Sequence, residues 1–544
     1  MSVEFSEGSI RLASLALLGV TALLALLVIS RFDDGGGLLA PLRERWVYGI
    51  PWGTVIVVAS VYLLYHVVQG GSSDGGPVVV GFRSWSLWYP QGLFFSSFAH
   101  ASESHLWSNL LGAIAFAPIV EYVWGHYPTE RNRIDGRFTR PRSRIALFVS
   151  ATVAVGIANS LFIPGAIIGF STVVFAFAGF ALLTRPLLTV VAMLGIQVVR
   201  LLRQAVLDPL VLTEAQTRFV SPSWADTALQ GHLFGMLLGV LLAVVLLRIR
   251  SEQPRMLYVF FAALVFAVTR SMYAIYWYLG ADEFVLFQAL GAAAVLLLAT
   301  LGAIVALAPH RARFPQPDVP LRSVAVGLLL VTVLAIAVVG VGYNVVSVSP
   351  GDEFNEAIEV EDYHVTYVDG AEDQYIGGLD VPGLDPPSVS VTGVVVASEE
   401  RNAWHLETSG NALAFHGETR VVVGDATWRD TVLINRTEWA MVDGNETYTV
   451  FGQHGTDDRT ILHEASPAVS DSRIQYSNVS IRPADGWYAL EIERNGSVLG
   501  TEPVPSRGES VTIGETTFTR EDDDLFATHN GTELRIAEFR LDGQ

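Results

Sequence analysis

Residues 168–184 read IGFSTVVFAFAGFALLT, and residues 229–248 read LQGHLFGMLLGVLLAVVLLR. As α-helices, such apolar runs are long enough, or nearly so, to cross the hydrocarbon core of a bilayer, which is about 30 Å thick. Each run carries a polar side chain near its start, Ser171 in the first and His232 in the second. Polar groups are costly inside lipid, so these two side chains indicate a functional site within predicted membrane-spanning helices.

Comparable apolar runs follow one another along residues 1–349. The chain is 51% hydrophobic and 16% charged, whereas an average soluble domain has about 25% charged residues. We therefore expect a polytopic α-helical membrane protein with about ten transmembrane helices. The predicted spans lie near 10–31, 50–69, 102–124, 143–163, 168–184, 186–206, 229–248, 256–279, 284–308 and 322–346.

Residues 350–544 differ in composition from the rest of the chain. They hold 37 of the 54 acidic residues but only 12 of the 34 basic ones, and the whole chain has no lysine and no cysteine. Short alternating runs such as 419–423 and 447–451 are separated by Gly, Asp and Asn, which is typical of β-strands joined by turns. We expect an acidic all-β domain, most simply a β-sandwich, with the composition of a halophile-like protein.

Arginine placement predicts the orientation in the membrane, because positively charged loops stay in the cytoplasm. The loop 125–142 carries five arginines, and arginines also mark every second loop after it. This pattern predicts a protein of the cell membrane with both termini on the extracytoplasmic side. All five Asn-x-Ser/Thr acceptors lie within 350–544, which agrees with an external tail.

Four polar residues share one layer of the predicted helices: His105, Asn109, Ser171 and His232. They occupy the first turns of three spans that run from outside to inside, so they lie from a few ångströms to about 10 Å below the outer surface. A serine hydroxyl is a weak nucleophile until a base such as a neutral imidazole takes its proton. His105 and Asn109 are four residues apart, hence on one helix face, and both can donate to an oxyanion.

Small residues accompany this layer. Gly235 and Gly239 follow His232 at offsets of three and seven, so both lie on its face of the helix and permit close approach of a second helix. Gly169 precedes the serine, and Phe175, one turn after it, is placed to pack on the His232 ring. The pattern predicts that the two polar side chains meet across a tight helix pair.

At these positions the chain resembles the rhomboid family of intramembrane serine proteases over roughly residues 50–248. The resemblance implies Ser171 as nucleophile and His232 as general base in a dyad without aspartate, with His105 and Asn109 as oxyanion donors. It also implies that Phe175 stacks on the base, that His100 supports the oxyanion site and that Asn159 lies near the water supply. The motifs are His100-x4-His105-x3-Asn109, Gly169-Phe170-Ser171 and Gly231-His232-x2-Gly235-x3-Gly239.

Two departures from the family pattern stand out. Thr172 occupies the position of a glycine and is expected to crowd the oxyanion site. The Trp-Arg pair of the family's first loop is missing, and Arg83 and Trp85 stand there in the other order. Of the remaining charged residues in apolar runs, we expect Glu121 to make a structural contact. For Arg270 we favour a structural role, snorkelling or pairing with a polar neighbour such as Gln288, and the alternative is that it marks a functional site.

The expected function is hydrolysis of peptide bonds in membrane-anchored substrate proteins near the outer membrane face. The alternative is a catalytically inactive, rhomboid-like protein that binds client membrane proteins. Transport is a third possible function and the least favoured of the three. There is no His-Glu-x-x-His zinc motif and no basic patch for nucleic acid, so we expect no cofactor, no metal and no nucleic-acid partner. The partners would be the bilayer and membrane-anchored substrates, with the tail recruiting substrates or extracellular partners.

The sequence therefore predicts four regions. They are an extra N-terminal transmembrane helix with a cytoplasmic loop in 1–49, a six-helix catalytic core in 50–248, three additional transmembrane helices in 249–349, and the acidic β-rich extracytoplasmic domain in 350–544.

Overall fold

The computed structural model divides the chain into two compact units, which are described separately below. One comprises Met1–Ser72, Phe82–Tyr276 and Leu286–Asn344, and the other Ser73–Gly81, Trp277–Val285 and Val345–Gln544. Several arginines of the expected cytoplasmic loops lie outside the described residues. The structure describes residues 7–31, 46–73, 75–124, 140–210, 218–222, 224, 228–250, 252–280, 282–306, 320–345, 354, 356–374, 389–442, 444–470 and 477–540.

The first unit is built from α-helices. In chain order they are α1 (Glu7–Arg31), α2 (Trp52–Leu63, continued by a π-helical turn Leu64–Val68), α3 (Pro90–Phe95), α4 (Glu103–Trp124), α5 (Pro141–Phe162), α6 (Ser171–Thr184), α7 (Pro186–Leu207), α8 (Leu229–Arg250), α9 (Met256–Thr269), α10 (Gln288–Val305) and α11 (Leu321–Asn344).

Six helices in the described part of the chain are long and apolar enough to cross a membrane, namely α4, α5, α7, α8, α10 and α11. Four shorter apolar helices lie at Ile10–Ala25, Trp52–Val68, Ser171–Thr184 and Met256–Thr269. The chain is therefore a membrane protein, while the count of ten spans stays a prediction. Two boundaries were wrong. The predicted span 256–279 is helical only to Thr269, and Tyr276–Gly280 forms a strand. The predicted span 284–308 begins within the strand Glu283–Leu286, and its helix begins only at Gln288.

Proline and glycine set the limits of the helices near the candidate site. Pro141 and Pro186 occupy the first turns of α5 and α7, where proline's fixed φ suits a helix start and its missing N–H is not needed. Gly169 has a φ of +123°, a conformation that side chains with a Cβ rarely adopt. The loop after α5 can therefore turn sharply into α6 two residues later.

Glycines also bring α6 and α8 together. A Cβ at Gly235 would overlap the carbonyl oxygen of Thr172, and one at Gly239 would overlap that of Ala176. From the other side, Gly179 lies against the carbonyl of Met236. Without these side chains the two backbones pack in direct contact, as small residues permit between membrane helices.

The second unit is β-rich, as its sequence predicts, and its described residues include a short helix, α12 (Gly410–His416). Its strands are β1 (Tyr276–Gly280), β2 (Glu283–Leu286), β3 (Ile358–Val360), β4 (Tyr363–Glu372), β5 (Ser390–Ser398), β6 (Ala403–Ser409), β7 (Glu418–Gly424), β8 (Arg429–Met441), β9 (Glu446–His454), β10 (Thr460–Glu464), β11 (Ala468–Val469), β12 (Ser477–Ala484), β13 (Trp487–Arg494), β14 (Ser497–Pro503), β15 (Ser510–Ile513), β16 (Thr516–Glu521), β17 (Asp524–His529) and β18 (Thr532–Arg540).

These strands form several antiparallel sheets. The largest has eight strands in the order β10-β9-β8-β18-β17-β16-β15, with β7 also paired to β8. Strands β11 to β14 and β3 to β6 form two four-stranded sheets, and β1 and β2 form a hairpin. A β-sandwich remains an expectation for this arrangement.

Two segments from loops between the apolar helices belong to the β-rich unit. The hairpin β1–β2 contributes Tyr278 to a core with Val395 and Trp404, and the Ser409 hydroxyl donates to the Asp282 carboxylate over 2.7 Å. In segment 73–81, Gly81 lies so close to the carbonyl of Gly424 that a Cβ would overlap it. The unit is thus assembled from three separate stretches of chain.

Candidate active site

Ser171 is the first residue of α6 and is half-buried. The backbone N–H groups of the first turn of a helix have no intrahelical acceptor, so those at the start of α6 are available to a ligand. The turn before the helix is fixed by the Gly169 N–H, which donates to the Ser96 carbonyl over 2.8 Å. The turn before α6 is therefore held in place, and Ser171 lies at the N-terminal end of the helix, where the backbone N–H groups are unpaired.

His232 lies in the first turn of α8 and stacks on Phe175. The two ring centroids are 4.1 Å apart and the rings are nearly parallel, at 5°. Phe175 is one turn after Ser171 in α6, so the imidazole lies beside the first turn of that helix. In the described part of the chain, Ser171 and His232 form no hydrogen bond with each other, and the buried Nδ1 of His232 has no partner.

The His105 ring lies against the turn that precedes Ser171. A Cβ built on Gly169 would be 2.6 Å from Cε1 and 2.8 Å from Nε2 of His105. Only a glycine at this point leaves room for the imidazole. The Ser102 hydroxyl accepts the His105 backbone N–H over 3.2 Å and so fixes the start of α4.

Asn109 lies one turn after His105 and is held by His100. Its Nδ2 is 3.1 Å from His100 Nε2, which leaves the second hydrogen of the amide free for another acceptor. His100 is fully buried, and its ring meets that of His105 edge to face at 5.1 Å. The two histidines and the asparagine thus form one compact group beside the start of α6.

Gln69 fixes the backbone of His100, a role that we did not predict. Its Nε2 donates to the His100 carbonyl over 3.0 Å, and its Oε1 accepts the His100 N–H over 2.8 Å. Gln69 has no exposed surface. A glutamine at the end of an apolar run was the available signal, but its partner is 31 residues away in the chain.

Thr172 and Asn159 belong to a buried polar network. The Thr172 hydroxyl donates to Asn159 Oδ1 over 2.9 Å, and Asn159 Nδ2 donates to the Ser97 hydroxyl over 3.0 Å. The Thr172 side chain also lies close to α8, because a Cβ at Gly231 would be 2.9 Å from its hydroxyl. Its volume is accommodated between α5 and α8.

Arg83 and Trp85 anchor the loop that precedes α4. The Arg83 guanidinium donates to the Ala166 carbonyl over 2.9 Å, Ser84 pairs with Ile167 as an isolated β-bridge, and Trp85 is fully buried. Although the family's Trp-Arg pair is missing, the loop is attached to the segment that leads into Ser171.

Metal ligands are the remaining feature of the site to be considered. No group of three or more His, Asp and Glu side chains suited to a metal ion occurs among the residues that the structure describes. The polar side chains near Ser171 that could stabilise a developing negative charge are therefore those of His105 and Asn109.

Glu121 lies at the far end of α4 from this group. Its carboxylate accepts the backbone N–H groups of Gly53 and Thr54, both over 2.9 Å, and the Thr54 hydroxyl over 3.0 Å. A carboxylate at a helix N-terminus satisfies unpaired N–H groups and interacts favourably with the helix dipole. Glu121 thus caps α2 and has a structural role.

Comparison with known proteins gives one match. Residues 84–249 match the family model described as the Rhomboid domain. The match covers less than a third of the chain and extends from the loop before α4 to the end of α8. No curated protein and no solved structure matches the chain.

Proposed function

This chain belongs to the rhomboid family through residues 84–249, and on that premise we propose that it is an intramembrane serine endopeptidase. Its substrates would be membrane-anchored proteins, cut near the outer membrane face. The stacking of His232 on Phe175, one turn from Ser171, is the observation that carries the proposal, because it holds a base beside a serine at an open helix start.

In the proposed reaction, the Ser171 hydroxyl attacks the carbonyl carbon of the scissile peptide bond. His232 takes the hydroxyl proton and then gives it to the leaving amine, which breaks the C–N bond and leaves an acyl-enzyme. A water molecule, deprotonated by the same imidazole, hydrolyses the ester and returns Ser171 to its starting state. The hydrogen bond between the two side chains would form in the substrate complex, since such bonds are often long without substrate.

His105 and Asn109 are proposed to stabilise the oxyanion together with the Ser171 backbone N–H. The close approach of His105 Nε2 to Gly169 supports a ring N–H donor at the turn before the nucleophile, and the second hydrogen of the Asn109 amide would supply another. Loss of one such donor in soluble serine proteases costs about 2.7–4 kcal/mol of transition-state stabilisation.

Asn159 and His100 are proposed as positioning residues. Asn159 holds Thr172, the residue after the nucleophile, and His100 holds Asn109. Gly169, Gly235 and Gly239 would serve by leaving room for His105 and for the contact between α6 and α8.

The nucleophile is tested with a short transmembrane substrate and purified protein in nanodiscs. Ser171→Ala should abolish cleavage, while Ser150→Ala, on an exposed face of α5, should cleave at the wild-type rate. Equal cleavage by wild type and Ser171→Ala would refute the assignment.

An inactive protein that binds membrane clients is the second candidate. It is favoured by the missing hydrogen bond between Ser171 and His232 and by Thr172 in place of the family's glycine. A fluorophosphonate separates the two readings, because an active serine forms an adduct and an inactive binder does not. Proteolysis of the short transmembrane substrate by the wild type would exclude the second candidate.

The β-rich unit is proposed to lie outside the cytoplasm and to recruit substrates or extracellular partners. Its support is the net negative composition of residues 350–544 and their separate fold. Deleting residues 354–540 should slow cleavage of native substrates more than cleavage of the short transmembrane substrate. Unchanged proteolysis of every native substrate would argue against recruitment.

A further inference from the structure

A cavity of about 530 Å³, with charged and hydroxyl side chains in its lining, opens between the start of α4 and the end of α7. Its lining from α4 includes Ser104, Trp107 and Ser108, and its lining from α7 includes Arg200 and Arg203. The α4 residues flank His105 and precede Asn109 in sequence, so they lie on a neighbouring face of the same helix. The cavity is therefore separate from the candidate catalytic group.

The two arginines of the cavity have no carboxylate partner within ion-pair distance among the described residues. Arg200 donates to the Ser108 hydroxyl over 2.8 Å, and the Arg203 guanidinium lies over the Trp107 ring at 5.2 Å. The one carboxylate in the lining belongs to Glu103, which accepts the Trp107 indole N–H over 3.1 Å.

This excess of positive charge lies on α7, which is otherwise largely apolar. Arginine within a membrane span is costly unless an anion or a polar partner compensates it. Arg203 and Arg200 lie four and seven residues before Leu207, the last residue of α7, which corresponds to about 6 and 10 Å at 1.5 Å per residue. In a helix whose length matches the hydrocarbon core, positions this close to the end would lie near the boundary between headgroups and hydrocarbon.

We propose that this cavity binds the phosphate group of an anionic phospholipid. The planar guanidinium of Arg200 or Arg203 matches two phosphate oxygens at once, and the Ser104 and Ser108 hydroxyls offer further donors. Trp107 supplies the aromatic side chain that is typical of membrane interfaces. The site is distinct from the proposed active site and does not depend on the proposed function.

The test uses the full-length protein with Ser171→Ala, so that activity plays no part in the readout. Nanodiscs would contain phosphatidylcholine and phosphatidylglycerol, and native mass spectrometry would count the phosphatidylglycerol molecules that remain bound to the released protein. Replacing both cavity arginines, as Arg200→Gln with Arg203→Gln, should reduce the bound phosphatidylglycerol at least fivefold.

The matched control is Arg140→Gln with Arg142→Gln, which removes the same charge from exposed positions at the start of α5. It should retain phosphatidylglycerol as the parent does. Equal retention by the cavity variant, or an equal loss in the control, would overturn the proposal.

A second variant guards against misfolding of the arginine variant. Glu103 is exposed, and Glu103→Gln removes the only negative charge in the lining, so the bound phosphatidylglycerol should increase about twofold. Retention that is unchanged or lower would contradict a phosphate site.

A competition experiment distinguishes the lipid from other ligands. Displacement of the lipid by equimolar glycerol 3-phosphate would indicate a site for free phosphate, and displacement by an acidic transmembrane peptide would indicate a site for protein. Either result would overturn the lipid assignment.

Discussion

Gly169 is the residue on which the geometry of the candidate site depends most directly. Its φ of +123° would strain any residue with a Cβ, and that Cβ would lie only 2.6 Å from His105 Cε1. A side chain here would therefore meet both backbone strain and a steric clash. Gly165 offers a matched control, since it also has a positive φ, +87°, but no atom lies within 4 Å of its Cβ position.

Gly169→Ala should therefore displace His105 and reduce the cleavage rate by roughly 100-fold, comparable to loss of one oxyanion donor. Gly165→Ala should cost only about 1–2 kcal/mol of stability from the strained backbone, with a nearly unchanged rate. Cleavage of the short transmembrane substrate and the thermal midpoint of unfolding distinguish these effects. Equal rates in the two variants would show that His105 is not needed at this turn.

Substitutions of Thr172 test whether this side chain, which stands where the family has a glycine, stabilises the site through its hydrogen bond. Thr172→Val keeps the shape of the side chain but leaves the buried Asn159 Oδ1 without its donor, which should cost about 1–3 kcal/mol of stability. Thr172→Ser keeps the hydroxyl and should lose much less. If thermal unfolding shows equal losses in both variants, the hydrogen bond to Asn159 contributes nothing.

The chemical groups of the candidate site and the packing of Phe175 on His232 could be predicted from the sequence, but the hydrogen-bond partners could not. Ser171, His232, His105 and Asn109 were visible because polar residues are rare in apolar runs. Two further residues, Gln69 and Ser97, were missed because they act on His100 and Asn159, which lie 31 and 62 residues away in the chain. Hydrogen bonds over such separations depend on how the helices pack, and a single sequence does not encode that in any local pattern.

At the scale of elements, the contact between α6 and α8 is the critical one. Gly239→Ala would drive a methyl group into the Ala176 carbonyl, so the helices would have to separate. We expect a loss of about 1–3 kcal/mol, as for other overpacked sites, together with slower cleavage because His232 moves away from Ser171.

Gly327→Ala provides the control for this prediction, because Gly327 lies within α11 and nothing is within 4 Å of its Cβ position. Alanine has a higher helix propensity than glycine, so this variant should be slightly more stable than the wild type. Thermal unfolding in nanodiscs measures both changes. A Gly239→Ala protein as stable and active as Gly327→Ala would exclude a tight helix pair.

Helices were easier to predict than the strands between them. Proline and glycine marked the starts of α5, α6 and α7, whereas the run 256–279 concealed a boundary after Thr269. Its aromatic residues Tyr276, Trp277 and Tyr278 suit a strand as well as a membrane helix. The hairpin β1–β2 belongs to the β-rich unit. Its residues therefore form strands that pack with a distant part of the chain and do not continue the membrane helix that their apolar pattern predicts.

At the scale of the whole molecule, the β-rich unit has its own buried charges. Asp362 is removed from water, which favours its neutral form, but hydrogen bonds from Arg401 and Ser398 outweigh this effect and lower the pKa of Asp362. The Arg401 Nε lies 2.6 Å from the carboxylate. A carboxylate with a lowered pKa stabilises the fold above its unfolded pKa, and this contribution disappears as pH falls through the folded pKa.

Strands β4 to β6 should accordingly open as the pH falls below the usual range for aspartate, about 4. Asp362→Asn should expose the same strands at neutral pH and make their opening depend less on acid. The control Asp457→Asn removes an exposed carboxylate of the same unit and should have little effect. Hydrogen–deuterium exchange of residues 363–409 in the full-length protein is the measurement; identical acid profiles for wild type and Asp362→Asn would contradict this role.

The central claim is that His232 activates Ser171, and the rate of fluorophosphonate attachment to Ser171 tests it most directly. Peptide mass spectrometry would locate the adduct in wild type, His232→Ala and Ser171→Ala proteins of equal thermal stability. We predict an adduct on Ser171 in the wild type, at least ~100-fold slower labelling in His232→Ala, and none at this site in Ser171→Ala. Labelling of Ser171 at the same rate with and without the imidazole would contradict the account.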